Sequence, residues 1–339
     1  MMRKFKFYIF FIIFLLVLFI WGIVGGLDNK SMNFIGSLIP TKTKIMLKKT
    51  IFTPTNVSKM NEIKAKLNYL VFKSESKSYE LKSRSNIYNI RTFPLPLINN
   101  SKWGGKPAAY LEQTDNKIII ASGSGEFFSF EKKDIESENL NLKRIHSNIK
   151  DLIINEKFYS GSVLGLRDLL ILKNKIFFSF TKEQTKGCYN TSIMVSEINF
   201  DYLNFSEFFS YEDCISNENM QQYPYMLDMQ HPGGRLVSFK DEKILLTIGD
   251  LENKFAPQDK NSIFGKIISI DLKSKDYEIV TMGSRNQQGL YYDENRNIII
   301  FTEHGPTGGD EININSDLDN KIVENYGWPI SSYGIEMPT

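Results

Sequence analysis

Short apolar runs recur along the second two thirds of the chain, each introduced by a tight polar turn. One copy is Asp115-Asn116-Lys117-Ile118-Ile119-Ile120-Ala121, followed by the apolar stretch Phe127 to Phe130. The next runs from Leu172 through Lys173-Asn174-Lys175 into Ile176-Phe177-Phe178-Ser179-Phe180, followed by Ser192 to Ile198. A third passes from Phe239 through Lys240-Asp241-Glu242-Lys243 into Ile244-Leu245-Leu246-Thr247, followed by Gly265 to Asp271, and a fourth from Tyr292 through Arg296-Asn297 into Ile298-Ile299-Ile300-Phe301. Each reads as a strand, a tight polar turn, an apolar inner strand, a loop and a further strand. The basic turn residue recurs at 117, 175, 243 and 296, in steps of 58, 68 and 53. Antiparallel units at about this spacing predict the blades of a β-propeller, whose radial packing buries both faces of each small sheet. A β-sandwich also fits short strands with regular turns.

The remainder is less regular. Residues 29–66 read as a polar spacer with a first strand region around Thr43 to Phe52, and residues 67–110 read as irregular, with Thr92-Phe93-Pro94-Leu95-Pro96-Leu97 held extended by its prolines. Phe7 to Val24 are 18 consecutive apolar residues behind Arg3, Lys4 and Lys6. That is long enough to cross a bilayer, and Trp21 to Gly26 makes a poor cleavage site. An uncleaved single-pass anchor is expected over residues 1–28, with a cleaved signal as the alternative. The basic flank places the body, residues 67–339, on the outer side, which in a bacterium is the periplasm.

Composition supports a folded, mostly β body: 42% hydrophobic and 24% charged residues, with 25 Phe and 16 Tyr. Lys and Arg number 41 against 39 Asp and Glu, a net +2 that gives no field for nucleic acid. Cys188 and Cys214, in an oxidising compartment, are expected to form a disulfide. With only three histidines and no close His/Cys spacing, a zinc site is not expected.

Polar, glycine-rich segments gather after residue 228: His231-Pro232-Gly233-Gly234-Arg235-Leu236, then Thr247-Ile248-Gly249-Asp250, then Ser284-Arg285-Asn286-Gln287-Gln288-Gly289-Leu290, then Glu303-His304-Gly305-Pro306-Thr307-Gly308-Gly309-Asp310-Glu311, then Asn325-Tyr326-Gly327-Trp328-Pro329. They stand at strand ends, so a radial fold places them on one rim. His231 has the intrinsic pKa of a general base, or is a turn histidine bonded to backbone. Arg285 and Asn286 suit an anionic planar ligand. Gly305 and Pro306 offer carbonyl oxygens, and Glu311 a hard carboxylate of the kind Ca²⁺ prefers.

In this order the segments resemble the glucose/sorbosone dehydrogenase family, the soluble quinoprotein sugar dehydrogenases, and especially their bacterial aldose sugar dehydrogenase branch. The resemblance is strong over residues 228–334. It implies a six-bladed propeller that oxidises an aldose at its anomeric carbon with pyrroloquinoline quinone (PQQ) and Ca²⁺, passing electrons to a respiratory acceptor. His231 would accept the hydroxyl proton, Arg285 and Asn286 would hold the quinone, and the carbonyls of Gly305 and Pro306 would hold the cofactor and its Ca²⁺. Glu311 and the backbone of Tyr326 would hold a second, structural Ca²⁺. Two departures accompany it. Ser160 stands where the family has a glutamine that contacts the quinone, and family members continue past the position of Thr339, so the propeller is expected to be incomplete at its C-terminus. A propeller of the same descent that binds a carbohydrate or a partner protein without redox chemistry is the alternative, and a Ca²⁺-dependent lactonase-like hydrolase a third class.

Overall fold

The computed structural model describes residues 71–94, 109–155, 158, 164–216, 231–306, 308–320 and 322–332. All of them fall in one of the chain's two compact units, Leu70–Thr339. The apolar segment Phe7–Val24, the strand region expected at Thr43–Phe52 and Ser160 lie outside the described residues. Among the described residues, no helix is long and apolar enough to cross a membrane.

Four antiparallel meanders follow one another. The first consists of β1 (Ala109–Gln113), β2 (Lys117–Ser122), β3 (Phe127–Glu131) and β4 (Asn139–Ser147); the second of β5 (Leu166–Leu172), β6 (Lys175–Thr185), β7 (Cys188–Glu197) and β8 (Ser206–Phe209). The third consists of β9 (Gly233–Phe239), β10 (Lys243–Ile248), β11 (Lys266–Asp271) and β12 (Tyr277–Met282), and the fourth of β13 (Gln287–Asp293), β14 (Ile298–Glu303) and β15 (Glu311–Asn315). The first strands of successive sheets pack side by side, β1 on β5, β5 on β9 and β9 on β13. This is the radial arrangement of propeller blades.

The apolar runs of β6 and β10 are continuous because both strands are covered on both faces. Successive side chains of a strand point to opposite faces. Ile176 and Phe178 of β6 therefore join Ile119, Phe127 and Ile145 of the first sheet, while Phe177 between them turns to Leu236, Ile244 and Leu246 of the third. In β10 the same alternation sends Ile244, Leu246 and Ile248 toward the second sheet and Leu245 toward Ile299 and Phe301 of the fourth. A one-residue slip would exchange these neighbours, so packing fixes the register. The turn into β6 has Lys173 and Asn174 at φ 49° and 59°, the two-residue geometry that matches strand twist. Cys188 and Cys214 are disulfide-bonded. The bond ties β7 to the short strand Ile215–Ser216 that pairs with its first residues.

The described residues 71–94, within the range read as irregular from sequence, contain three strands. Val71–Glu75 pairs with β4 at the edge of the first sheet, and Lys77–Lys82 pairs with Ile87–Thr92 as a separate ribbon. Its apolar residues Tyr79, Leu81 and Tyr88 share one face but stay exposed, so no buried run announces the strands.

Candidate functional site

In a meander the first strand begins, and the second ends, at the same rim. This places His231 (before β9), Asp250 (after β10), Arg285 and Asn286 (before β13) and His304 to Pro306 (after β14) together. Trp328 joins them because Glu324–Asn325 pairs in parallel with the end of β12.

His231 is buried and takes φ +60°, a left-handed backbone uncommon for a residue with a Cβ. Its carbonyl packs against Gly249, where a Cβ would lie 1.8 Å from that oxygen, so β10 must end on glycine for the histidine loop to sit here. The Nδ1 of His231 lies 3.0 Å from Oδ1 of Asp250. Oδ1 also accepts the Glu252 N–H at 2.9 Å, and Oδ2 accepts the indole N–H of Trp328 at 2.8 Å. An acceptor fixed at Nδ1 selects the tautomer that carries its proton there and leaves Nε2 free to take one.

Asp250 also connects the histidine to the arginine, since its own N–H donates to the Arg285 carbonyl at 2.8 Å. The guanidinium of Arg285 lies over the Trp328 ring, with Cζ 5.5 Å from the ring centroid, and Nη1 donates to the carbonyls of His304 (3.0 Å) and Gly305 (2.8 Å). Its Nε is buried with no partner among the described residues. Asn286 turns its amide oxygen inward, accepting from Gly233 N (3.2 Å) and Gln288 Nε2 (2.8 Å), which leaves the amide NH₂ for a ligand. Beneath this loop the Arg285 N–H donates to Glu303. Burial pushes the Glu303 carboxyl up to about 7, with the charges of Glu311 and Asp250 adding to the rise.

The structure thus brings His231, Arg285, Asn286 and Gly305 into one connected cluster, with Pro306 beside it. The Pro306 carbonyl accepts the Gly309 N–H at 2.8 Å. Glu311 lies on β15, where it pairs across the strands with Glu303 and accepts from Asn313 at 3.2 Å, whereas Tyr326 follows the short strand Glu324–Asn325, its N–H donating to Met282 O and its ring packing on Phe301. Among the described residues, no three His, Cys, Asp or Glu side chains converge as a metal cage. Asp250, Glu303 and Trp328 stand within the sequence motifs, but only the fold gives them a role. The signal for Asp250 was an acidic residue one glycine beyond the strand Lys243–Ile248.

Comparison with known proteins accords with this arrangement. The sequence profile of the Glucose / Sorbosone dehydrogenase family matches residues 113–338, more than half of the chain. An aldose sugar dehydrogenase of Escherichia coli is 25% identical over 189 residues, 50% of this chain and 47% of that protein. Quinoprotein glucose dehydrogenase B of Acinetobacter calcoaceticus is 34% identical over 131 residues, 29% of this chain and 26% of that protein. This chain therefore spans less than half the length of either relative. A glucose dehydrogenase crystal structure shares the fold, with TM-score 0.52 and 21% identity over 67% of this chain and 64% of its own. With the family profile running from the end of β1 through the rest of the four meanders and the rim that carries His231, Arg285 and Gly305, the chain belongs to the glucose/sorbosone dehydrogenase family.

Proposed function

We propose that this chain oxidises an aldose at its anomeric carbon, with His231 as the proton acceptor. The observation that carries the reading is the buried pair of His231 and Asp250, which leaves Nε2 as a base beside the Arg285–Asn286 loop.

The donor set fits an anionic planar quinone. Among the described residues Arg285 keeps a buried Nε without a partner, and a guanidinium and an amide are donors matched to carboxylate and carbonyl oxygens. Among the described residues the carbonyls of Gly305 and Pro306 each accept one hydrogen bond. A carbonyl oxygen has two lone pairs, so each keeps a hard oxygen lobe of the kind Ca²⁺ takes. Arg285, Asn286, Gly305 and Pro306 would hold the cofactor and its Ca²⁺, and Glu311 with the Tyr326 carbonyl a structural Ca²⁺. When bound, PQQ supplies the hydride acceptor.

The chain's own residues account for the proton. Nε2 of His231 takes the anomeric hydroxyl proton while Nδ1–H stays on Asp250, whose carboxylate stabilises the imidazolium that forms. The Trp328 and Glu252 donors hold that carboxylate in place against the ring. Arg285 places positive charge where negative charge develops on the bound ligand.

The apolar segment Phe7–Val24 and its basic flank support a body tethered to the inner membrane and facing the periplasm, where a respiratory acceptor would take the electrons. The test is reconstitution of the full chain with PQQ and Ca²⁺, assayed with aldoses and an artificial electron acceptor. Turnover that His231→Ala abolishes is the expected result. Absence of quinone binding at saturating Ca²⁺ would sink this reading in favour of a propeller that binds carbohydrate without redox chemistry.

A further inference from the structure

Trp328 is almost fully buried at 3% exposure and is held through its backbone from two sides. Its N–H donates to Gly283 O at 2.9 Å, and its carbonyl accepts from Gln258 Nε2 at 2.7 Å. Gln258 and Asn325 also bond amide to amide, at 3.1 and 2.8 Å. Gly283 leaves the space for this junction, since a Cβ there would lie 2.1 Å from Asn325 Oδ1. A side chain anchored so firmly has little freedom, and both of its remaining functions point at the site. The indole N–H reaches Asp250 Oδ2 at 2.8 Å, and the ring face lies 5.5 Å from Arg285 Cζ.

We propose that Trp328 is a positioning residue of the site, one indole that moderates the pull of Asp250 on His231 through its N–H while supporting the Arg285 guanidinium on its ring. The inference rests on the proposed function only in giving His231 the role of proton acceptor. The physical argument concerns charge. A carboxylate that shares its negative charge with a neutral donor attracts an imidazolium less than a bare one. Asp250 keeps its anchor at Oδ1 through the Glu252 N–H and its backbone bond to Arg285 O when the indole is removed. Its orientation therefore survives and its charge on His231 increases.

The experiment follows the histidine C–H resonances of the full chain by NMR through a pH titration, without quinone, in the wild type and in Trp328→Phe. The chain has three histidines, and His231→Gln assigns the one of interest. The expected result is a His231 midpoint raised by about half a pH unit or more, with His146, on β4 of the first sheet, unchanged as the reference for an intact fold. Other ionisable groups around the pair are Glu252 two residues after Asp250, Arg285 just before β13 and Glu303 at the end of β14. They are common to both proteins and cancel in the difference. A His231 midpoint that stays in place or falls while His146 is unchanged overturns the proposal. Should Trp328→Phe not fold, β-(3-benzothienyl)alanine at position 328 keeps the ring shape and removes only the donor, and the same two outcomes decide. The titration is independent of sugar turnover, so its outcome holds whether or not the chain oxidises aldoses.

Discussion

Asp250 faces His231 across 3.0 Å with both side chains almost wholly excluded from water, at 2% and 7% exposure. Burying a carboxylate is costly unless donors satisfy it, and here the imidazole, the Glu252 N–H and the Trp328 indole do so. The fold therefore commits a polar cluster to orienting one ring. Asp250→Asn keeps the shape and removes the charge, and its amide NH₂ can favour the tautomer with the proton on Nε2, the wrong nitrogen for a base. In the reconstituted enzyme the expected loss in kcat is about 10² to 10⁴-fold, with KM for the sugar changed by no more than about fivefold. Steady-state kinetics check it, and a kcat within about threefold of wild type would remove Asp250 from the mechanism.

Gly249 joins β10 to this cluster. A methyl at that position would lie 1.8 Å from the His231 carbonyl and 3.0 Å from Gly233 N, both backbone atoms that cannot swing aside as a side chain does. Gly249→Ala is expected to destabilise the protein by about 2–4 kcal/mol, which lowers Tm by roughly 5–10 °C for a unit of this size. Thermal unfolding monitored by circular dichroism gives the number. An unchanged Tm would show that the loop before β9 is loosely packed.

The four meanders were legible because basic turn residues precede their apolar runs, and in the second and third sheets burial on two sides leaves those runs without a polar face, such as Ile244-Leu245-Leu246. The strands between residues 71 and 92 were not, because Tyr79, Leu81 and Tyr88 are exposed and pairing alone defines their ribbon. His231, Arg285, Asn286 and Gly305 could be placed on one rim from their positions at strand ends. The function of Asp250 could not, since an acidic residue after a strand acquires meaning only from His231 and Trp328, which the fold brings to it from elsewhere in the chain. The blade count of six also goes beyond the four meanders among the described residues.

Lys266 was equally silent in the sequence. Its side chain is fully buried, and Nζ donates to the carbonyls of Ala256 (2.8 Å), Pro257 (2.9 Å) and Phe264 (2.9 Å), so that all three ammonium hydrogens are used. These carbonyls belong to the loop that carries Gln258, and hence Trp328. Lys266→Met fills the same volume and leaves three buried acceptors without a donor, at an expected cost of about 2–4 kcal/mol. Denaturant unfolding measures the loss. Loss of less than about 0.5 kcal/mol would mean that water replaces the ammonium group.

Glu112 on β1 supplies a pH test that is separate from the site. Burial raises its carboxyl from the ordinary 4.5 to about 7, and the charge of Asp168 adds to the rise. The folded chain thus holds the proton more tightly than the unfolded chain, and the sign follows from linkage. The stability that this proton contributes is complete below about pH 4.5 and is lost progressively as pH rises through about 7. Glu112→Gln keeps a neutral group of the same shape at every pH. The Tm of the wild type minus that of the variant is therefore expected to fall between about pH 5 and pH 8 and then level off, while the contributions of all other groups cancel. Glu112 is only half-buried, so solvent screening keeps the fall small. A difference that stays constant across this range would show that the carboxyl ionises normally, with water reaching the first strand of the first blade.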